Sequence, residues 1–124
     1  AQDIFGQWKT IDDQTGEAKS IVEIYKRDGK VFGKIVSILN PEVKDALCLK
    51  CEGEDKNKPV LGFELIKNMT KEGRYYKNGT IFDPEHGKKY KCRLMLTENP
   101  DILQVRGYIA FLYASQYWQR VKER

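Results

Sequence analysis

The 124-residue sequence has no apolar run that approaches the roughly 20 residues of a transmembrane helix. It also lacks any long segment that combines a helical hydrophobic period with helix caps, so we expect almost no α-helix. The 22 Lys and Arg and the 18 Asp and Glu give a formal net charge of +4, but the two signs alternate along the chain. The only basic cluster is a short tail, Arg120, Lys122 and Arg124. Because nucleic-acid binders concentrate Lys and Arg on one element, we expect no nucleic-acid partner.

A single histidine and three cysteines restrict the chemistry that the chain can support. His86 is the only nitrogen ligand for a zinc site, and no Ser/His/Asp spacing gives it a nucleophile to serve. Cys48 and Cys51 form a Cys-x-x-Cys in a loop; a local disulfide, half a zinc site, a redox pair and free thiols are the alternatives. A disulfide is favoured, because a redox pair requires a helix that the pattern lacks. We expect no metal and no cofactor.

Cys92 differs from the other two cysteines because it lies on the apolar face of a predicted strand. We therefore expect a buried free thiol that fills space in the core. The chain has no initiator Met and enters its first motif within a few residues. That start is typical of a mature exported protein, and we expect a periplasmic or secreted location.

The clearest strand signal lies in residues 78–96. A short apolar strand at 80–82 is followed by a turn and by an alternating strand at 88–96, whose apolar face carries Tyr90, Cys92, Leu94 and Leu96. A period of two predicts a strand with one buried face. The turn is built from Asp83, Pro84, Glu85 and Gly87. Asp at the first position, Pro at the second and Gly at the exit are typical of a type I turn.

The same pattern recurs along the chain. Residues 19–26 and 30–38 predict a hairpin around Asp28-Gly29, which pairs Tyr25 with Phe32. Further strands are predicted at 4–10, where Gly6 suggests a close backbone approach before Trp8, and at 61–66, 102–109 and 116–121. About eight strands with mostly short connections predict an all-β fold, a single antiparallel up-and-down β-barrel over residues 1–124.

Two motifs, one near each end of the chain, resemble the arrangement in calycins and lipocalins. Gly6-Gln7-Trp8 opens the first strand and Trp118-Gln119-Arg120 ends the last one. The resemblance implies that Trp8, Trp118 and Arg120 close one end of the barrel, with the guanidinium packed across the indole.

A longer series of motifs resembles the DUF2147 family, small exported bacterial proteins of uncharacterised function. Besides Gly6-Gln7-Trp8 and Trp118-x-Arg120-Val121, the matching pieces are Ile24-Tyr25-Lys26 running to Asp28-Gly29-Lys30, Phe32-Gly33-Lys34-Ile35, Cys48-x-x-Cys51, Lys58-Pro59-x-Leu61-Gly62, Gly79-x-Ile81-x-Asp83-Pro84-Glu85-x-Gly87-Lys88-x-Tyr90 and Val105-Arg106-Gly107-Tyr108. The resemblance implies export and a lipocalin-like barrel. It supplies no activity, and Cys92 is not part of it.

Three functions follow as hypotheses. The first is the binding of a small apolar or amphipathic molecule inside the barrel, with Arg106, Tyr108, Tyr25 and Phe32 as lining residues. The second is a protein-interaction module that presents the 40–59 loop, or the apolar second face of the hairpin, to a protein partner. The third is an enzyme that uses Asp83 and Glu85 as paired carboxylates. The first is favoured, and we expect no enzyme activity.

Overall fold

The chain folds into a closed barrel of eight antiparallel strands, each hydrogen-bonded to the next and the last to the first. The computed structural model describes residues 3–12 and 14–122. The strands are β1 Gly6–Ile11, β2 Ala18–Arg27, β3 Lys30–Ile38, β4 Glu64–Glu72, β5 Tyr75–Asp83, β6 Lys88–Leu96, β7 Ile102–Ile109 and β8 Leu112–Arg120. Two short 3₁₀ helices, Pro41–Val43 and Gly53–Asp55, lie between β3 and β4. The predicted up-and-down barrel is confirmed. Among the described residues, no helix combines the length and the apolarity that a bilayer crossing requires.

The β2–β3 hairpin has the register that the Asp-Gly turn predicts. Tyr25 pairs with Phe32, and the pairing continues along both strands. Asp28 and Gly29 have φ angles of 53° and 79°, the left-handed values that both central residues of a type I′ turn require. The turn sequence therefore sets which residues of the two strands face each other.

The core lies inside the barrel and takes side chains from all eight strands. Its members with the lowest exposure include Trp8, Val22, Ile24, Ile66, Met69, Leu94, Leu103 and Trp118. The predicted apolar face of β6 points into this core, since Cys92 and Leu94 are both buried. Cys92 is a free thiol, as expected, and its burial raises the pKa of the thiol to about 12.

Three strands differ by more than two residues from their predicted ranges. The predicted strand at 61–66 begins later, at Glu64, and continues through a polar run to Glu72. This polar run forms a strand because Met69 is buried in the core. Asn68, the residue before it, adopts a left-handed φ of 63°. β5 likewise begins at Tyr75, before the predicted 80–82. The last strand begins at Leu112 rather than at residue 116, because Ala110 and Phe111 alone form the turn after β7.

Gly6 does not provide the close backbone approach that its position suggested. A Cβ built at Gly6 would meet no atom within 4 Å, whereas its φ is 116°. That correction has a simple physical reason. The residue is needed for a backbone conformation that side-chain-bearing residues rarely adopt, and not for space.

Candidate functional site

The two ends of the barrel differ, and one of them is closed around two buried tryptophans. At the end that carries the β2–β3, β4–β5 and β6–β7 turns, the Trp8 indole donates a hydrogen bond from Nε1 to the Ile4 carbonyl at 2.9 Å. The Arg120 guanidinium carbon lies 4.3 Å from the centre of the Trp8 ring. Trp118 is buried beside it in the core. The structure thus places Gly6, Trp8, Trp118 and Arg120 together at this closed end.

The Arg120 side chain also binds three backbone carbonyls, from two segments of the chain, at the closed end. Its Nη2 donates to the carbonyls of Asp3 at 2.8 Å and Pro100 at 3.0 Å, and its Nη1 donates to the Phe5 carbonyl at 3.3 Å. Asp101 adds an ion pair with Nε at 3.5 Å. The planar guanidinium can make these bonds while it stacks on the indole, which an ammonium group cannot do.

The opposite end, here called the mouth, is partly covered by the loop between β3 and β4. Cys48 and Cys51 form a disulfide in this loop, with a Cα–Cα distance of 5.4 Å, and both belong to the core cluster. The predicted disulfide is confirmed. Cys48 Sγ lies 3.5 Å from the Pro84 carbonyl; the disulfide sulfur has no proton to donate, so this is a packing contact. A Cβ at Gly87 would collide with Lys50, so the loop packs directly on the β5–β6 turn.

The β5–β6 turn is built as the sequence indicates, with Asp83 as its organising residue. Asp83 Oδ1 accepts hydrogen bonds from the backbone N–H groups of Glu85 at 2.9 Å and His86 at 3.2 Å. Asp83 Oδ2 lies 2.7 Å from His86 Nδ1, and Glu85 reaches Lys19 at 3.9 Å. One ligand atom from each of Asp83, Glu85 and His86 lies within 4.8 Å of the others. Glu85 and His86 are exposed, and the bonds of Asp83 are those of a turn.

Tyr25 and Phe32 are neighbours, but they lie on the outer surface of the barrel. A Cβ at Gly33, the residue after Phe32, would point at Val22 and Ile66 in the core, so Phe32 points outward. Phe32 is buried by its outer neighbours rather than by the core cluster. The Arg27 guanidinium lies 4.1 Å from the centre of the Phe32 ring, and the Tyr25 hydroxyl donates to Glu64.

Arg106 and Tyr108 also lie outside. They alternate along β7 with Leu103 and Val105, which are buried in the core. Arg106 Nε donates to Ser115 Oγ at 2.9 Å, and its guanidinium carbon lies 4.3 Å from the Tyr113 ring centre. The interpretation that Tyr25, Phe32, Arg106 and Tyr108 line the interior is therefore wrong. The aliphatic residues on the other face of each strand fill that space, and any ligand role for these four residues stays a prediction.

An exposed stretch of the inner face lies at the mouth, on the outer half of the β7–β8 hairpin. The residues Leu112, Ala114 and Gln116 share the face of Trp118, which is buried, but all three are exposed. Within the described residues, Cα pairs between β1 and β8 are limited to Trp8–Arg120 and Lys9–Gln119. β1 therefore does not pair with this part of β8, and the exposed inner face beside it, next to the mouth, is here called the side opening.

The sequence predicts a last strand at 116–121, so that prediction leaves out the exposed part of β8, residues 112–115. The signal that identifies the strand is present. Leu112, Ala114 and Gln116 alternate with Tyr113, Ser115 and Tyr117, and Tyr is enriched in strands. The exposure of the inner face depends on where β1 ends, and the sequence does not show that.

The family model described as "Uncharacterized protein conserved in bacteria (DUF2147)" matches residues 6–120. The chain belongs to this family. No curated protein matches its sequence. A solved structure described as "Protein HP1028 from the human pathogen Helicobacter pylori belongs to the lipocalin family" is similar, with a TM-score of 0.86 and 19% identity over 99% of this chain and 86% of that one. At this identity the likeness shows a shared fold.

A second surface of this DUF2147 barrel is strongly basic. Its outer face over β5, β6 and β7 carries Lys77, Lys91, Arg93 and Arg106, here called the basic face. A recess of about 550 Å³ opens there, lined by the first three of these residues and by Tyr108. Arg93 and Arg106 are direct cross-strand partners. Among the described residues, none of the four has a carboxylate within 4.0 Å.

Tyrosine rings hold this basic face in place. The Arg93 guanidinium carbon lies 4.5 Å from the Tyr75 ring centre, and Arg93 Nη2 donates to Gln104 Oε1 at 2.9 Å. Gln104 donates in turn to the Tyr117 hydroxyl at 3.2 Å. In the described part of the chain, Arg93 Nε is a buried donor without a hydrogen-bond partner. The face therefore keeps cationic donors that protein groups do not fully occupy.

Proposed function

We propose that the protein binds a small, partly apolar molecule at the side opening of the barrel, on the exposed inner face of the β7–β8 hairpin. One observation supports this proposal: Ile109, Leu112 and Ala114 occupy inner-face positions of the hairpin yet remain exposed. Apolar side chains that are left exposed together are typical of binding sites. A lipocalin-like fold is consistent with this role.

The filled interior determines where such a ligand would lie. Side chains from all eight strands occupy the centre of the barrel, so a ligand has no room near Trp8 and Trp118. Nearer the mouth, Gly107 has no side chain of its own, and a Cβ there would stand 3.5 Å from Tyr90 Cβ. Gln116 supplies a polar group, and its Oε1 accepts a hydrogen bond from Trp118 Nε1 at 3.3 Å. This combination fits an apolar chain with one hydrogen-bonding group.

Native mass spectrometry of protein purified from its own source tests the proposal. An adduct that disappears after organic extraction would support a carrier role and would give the mass of the ligand. An adduct-free mass, together with no binding of fatty acids or detergent-like probes by the purified protein, would contradict it.

A matched pair of variants tests the location. Ala114→Trp places a large ring on the inner face, whereas Tyr113→Trp makes a similar change on the outer face of the same strand. We expect Ala114→Trp to weaken binding of an apolar fluorescent probe about tenfold, which corresponds to about 1.4 kcal/mol, and Tyr113→Trp to leave it unchanged. Equal affinities of the two variants would place the ligand elsewhere.

The disulfide supports a proposal on location. Disulfides persist in oxidising compartments and are rare in the cytosol, so we infer that the protein acts in the periplasm or after secretion. Fractionation of the host, with thiol alkylation at lysis, tests this. We expect the protein outside the cytoplasm with Cys92 as its one free thiol; a cytoplasmic protein with three free thiols would contradict the inference.

A protein partner at the β3–β4 loop is a second candidate function. Leu49 is 67% exposed, although the neighbouring disulfide anchors the loop in the core. A rigid loop with an exposed apolar side chain is suited to partner binding. Pull-down from the envelope with Leu49→Asp as the comparison tests it, and a partner retained equally by both proteins would exclude this surface. We propose no catalytic role for Asp83 and Glu85, because Arg106 lies on the outer face and does not join them.

A further inference from the structure

We propose that the β7–β8 hairpin docks the protein on an anionic membrane surface, with the basic face turned toward the lipid headgroups. The hairpin tip consists of Ile109, Ala110, Phe111 and Leu112. Phe111 is 89% exposed and Leu112 is 62% exposed, among the most exposed large apolar side chains of the chain. The proposal goes beyond ligand binding: the tip shares Ile109 and Leu112 with the ligand site, but the docking surface also includes Phe111 and the outer face.

The tip projects because the barrel does not support it. β8 has β7 on one side, while its described pairs with β1 are confined to Lys9–Gln119 and Trp8–Arg120 near the other end of the strand. The turn itself is tight, and Ala110 adopts a φ of 52° to make it. A tight turn that already presents an exposed aromatic ring can insert this ring into an interface without a rearrangement of the fold.

The charge pattern favours an anionic lipid surface as the binding partner of this hairpin. The outer face of the hairpin is continuous with the basic face, because Tyr108 pairs with Lys91 on one side and with Tyr113 on the other. Arg106 stacks on Tyr113 at 4.3 Å. Interleaved tyrosines and cations beside an apolar tip are typical of segments that sit at a membrane interface.

The dimensions agree with a shallow insertion. Arg106 lies five residues before Phe111, so a rise of about 3.3 Å per residue and a strand tilt near 40° place it about 13 Å from the tip along the barrel axis. Interfacial segments bury their apolar groups by about 5–10 Å. With Phe111 at that depth, long basic side chains reach back to the phosphate level.

Carboxylates at the mouth restrict the orientation. The β3–β4 loop and the β5–β6 turn lie at the same end as the tip, and they carry seven carboxylates: Glu42, Asp45, Glu52, Glu54, Asp55, Asp83 and Glu85. Three of them are paired, Asp55 with Lys58, Asp83 with His86 and Glu85 with Lys19. The protein therefore docks on its β6–β7–β8 side, which keeps these carboxylates away from the lipid and brings the basic face to it.

Co-sedimentation with vesicles tests the proposal. The full chain is mixed with phosphatidylcholine vesicles that contain about one third phosphatidylglycerol, and separately with pure phosphatidylcholine. We expect binding to the anionic vesicles and little to the neutral ones. Binding should fall as salt shortens the Debye length from about 10 Å at 0.1 M to about 3 Å at 1 M. No binding to the anionic vesicles would overturn the proposal.

Two variants separate the apolar and the charged contributions. Phe111→Ser changes a fully exposed side chain, so it should fold normally and lose at least about tenfold in vesicle binding. Lys77→Gln with Lys91→Gln removes two charges from the basic face and should weaken binding to anionic vesicles by about tenfold or more. Lys26→Gln with Lys30→Gln makes the same charge change at the opposite end of the barrel and should have no effect. Loss of binding in this control, or retention in both test variants, would overturn the proposal.

Two further results distinguish membrane docking from self-association and from ligand binding. If Phe111→Ser instead converts a dimer to a monomer in the absence of vesicles, the tip is a self-association surface and the membrane proposal fails. Ala114→Trp should keep vesicle binding while it loses the apolar probe, and Phe111→Ser should show the reverse. Failure of ligand binding and failure of membrane docking are thus distinguishable.

Discussion

At the scale of single residues, Gly79 shows how tightly β4 and β5 approach each other. Asn68 and Asn78 both adopt left-handed backbone angles, with φ of 63° and 69°. β4 bulges against β3 at the first of these residues, and β5 bulges against β6 at the second. A Cβ on Gly79 would overlap the Lys67 carbonyl oxygen and would lie 2.8 Å from the Met69 backbone nitrogen. Both obstacles are backbone atoms, so no side-chain rotation can relieve the overlap.

We therefore expect Gly79→Ala to lower the free energy of unfolding by at least about 2 kcal/mol. Gly107→Ala is the matched control, because its Cβ would make ordinary contacts from 3.5 Å with Tyr90. It should be neutral or stabilising by up to about 1 kcal/mol. Urea unfolding of the two variants measures both effects, and equal destabilisation would contradict the close approach at Gly79.

Tyr25 gives a residue-scale prediction about pH. Burial, followed by the hydrogen bond to Glu64, raises the pKa of Tyr25 to about 12, from 10.0 for the free side chain. Between these values the folded state keeps a proton that the unfolded state has lost, so this stabilising contribution is complete below pH 10 and disappears as the pH rises through 12. The stability difference between wild type and Tyr25→Phe should therefore narrow over that range. Chemical unfolding at several alkaline pH values checks this, and a constant difference would contradict it.

At the scale of elements, the β3–β4 loop is a lid over the mouth that the disulfide holds against the β5–β6 turn. Cys48 is fully buried, and the loop closed by the disulfide is very short, with a sequence separation of 3. Closing so short a loop contributes about 2 kcal/mol in chain entropy. The bond therefore orders the loop more than it stabilises the barrel.

We expect reduction of the disulfide to increase amide hydrogen exchange in residues 39–63 and to leave β6 and β7 unchanged. Hydrogen exchange with and without reductant, read by mass spectrometry, measures this. Protein with Cys48→Ser and Cys51→Ser is the control, since reductant should then change nothing. A uniform increase over all strands would show that the disulfide supports the whole barrel.

At the scale of the whole molecule, closure depends on few contacts between the first and last strands. β1 and β8 share a shorter paired region than the other neighbouring strands, and Arg120 supplements it by binding Asp3, Phe5 and Pro100. The Arg120 side chain is 18% exposed. Its hydrogen bonds and its stacking on Trp8 are therefore little weakened by water.

We expect Arg120→Ala to lower the free energy of unfolding by about 3 kcal/mol. Arg120→Lys should recover part of this, because it keeps the charge but not the planar set of donors. Arg27→Ala is the control: Arg27 also stacks on an aromatic ring, Phe32, but its side chain is 52% exposed, so we expect a loss below about 1 kcal/mol. Similar losses for Arg27→Ala and Arg120→Ala would contradict a special role for the closed end.

The sequence alone determined the strand pattern, the barrel and the pairing in the β2–β3 hairpin. A period of two assigns residues to two faces, and Asp28-Gly29 permits one tight turn, so the register of Tyr25 with Phe32 follows. Cys48 and Cys51 are near neighbours in sequence, so their bond needed no knowledge of the fold. These features depend on local interactions, which a sequence contains directly.

Only the tertiary structure decided which face of each strand points inward. For this reason the candidate site lies on the inner face of the β7–β8 hairpin and not at the residues that the sequence predicted. Both faces of the β2–β3 hairpin carry apolar residues, and Phe32 is buried on the outside by Arg27 and Tyr25 instead of inside by the core. The exposed inner face at Leu112 exists because β1 ends before it can cover β8. Closure of the barrel fixes the inward direction for all strands at once, and it depends on contacts between residues far apart in the chain.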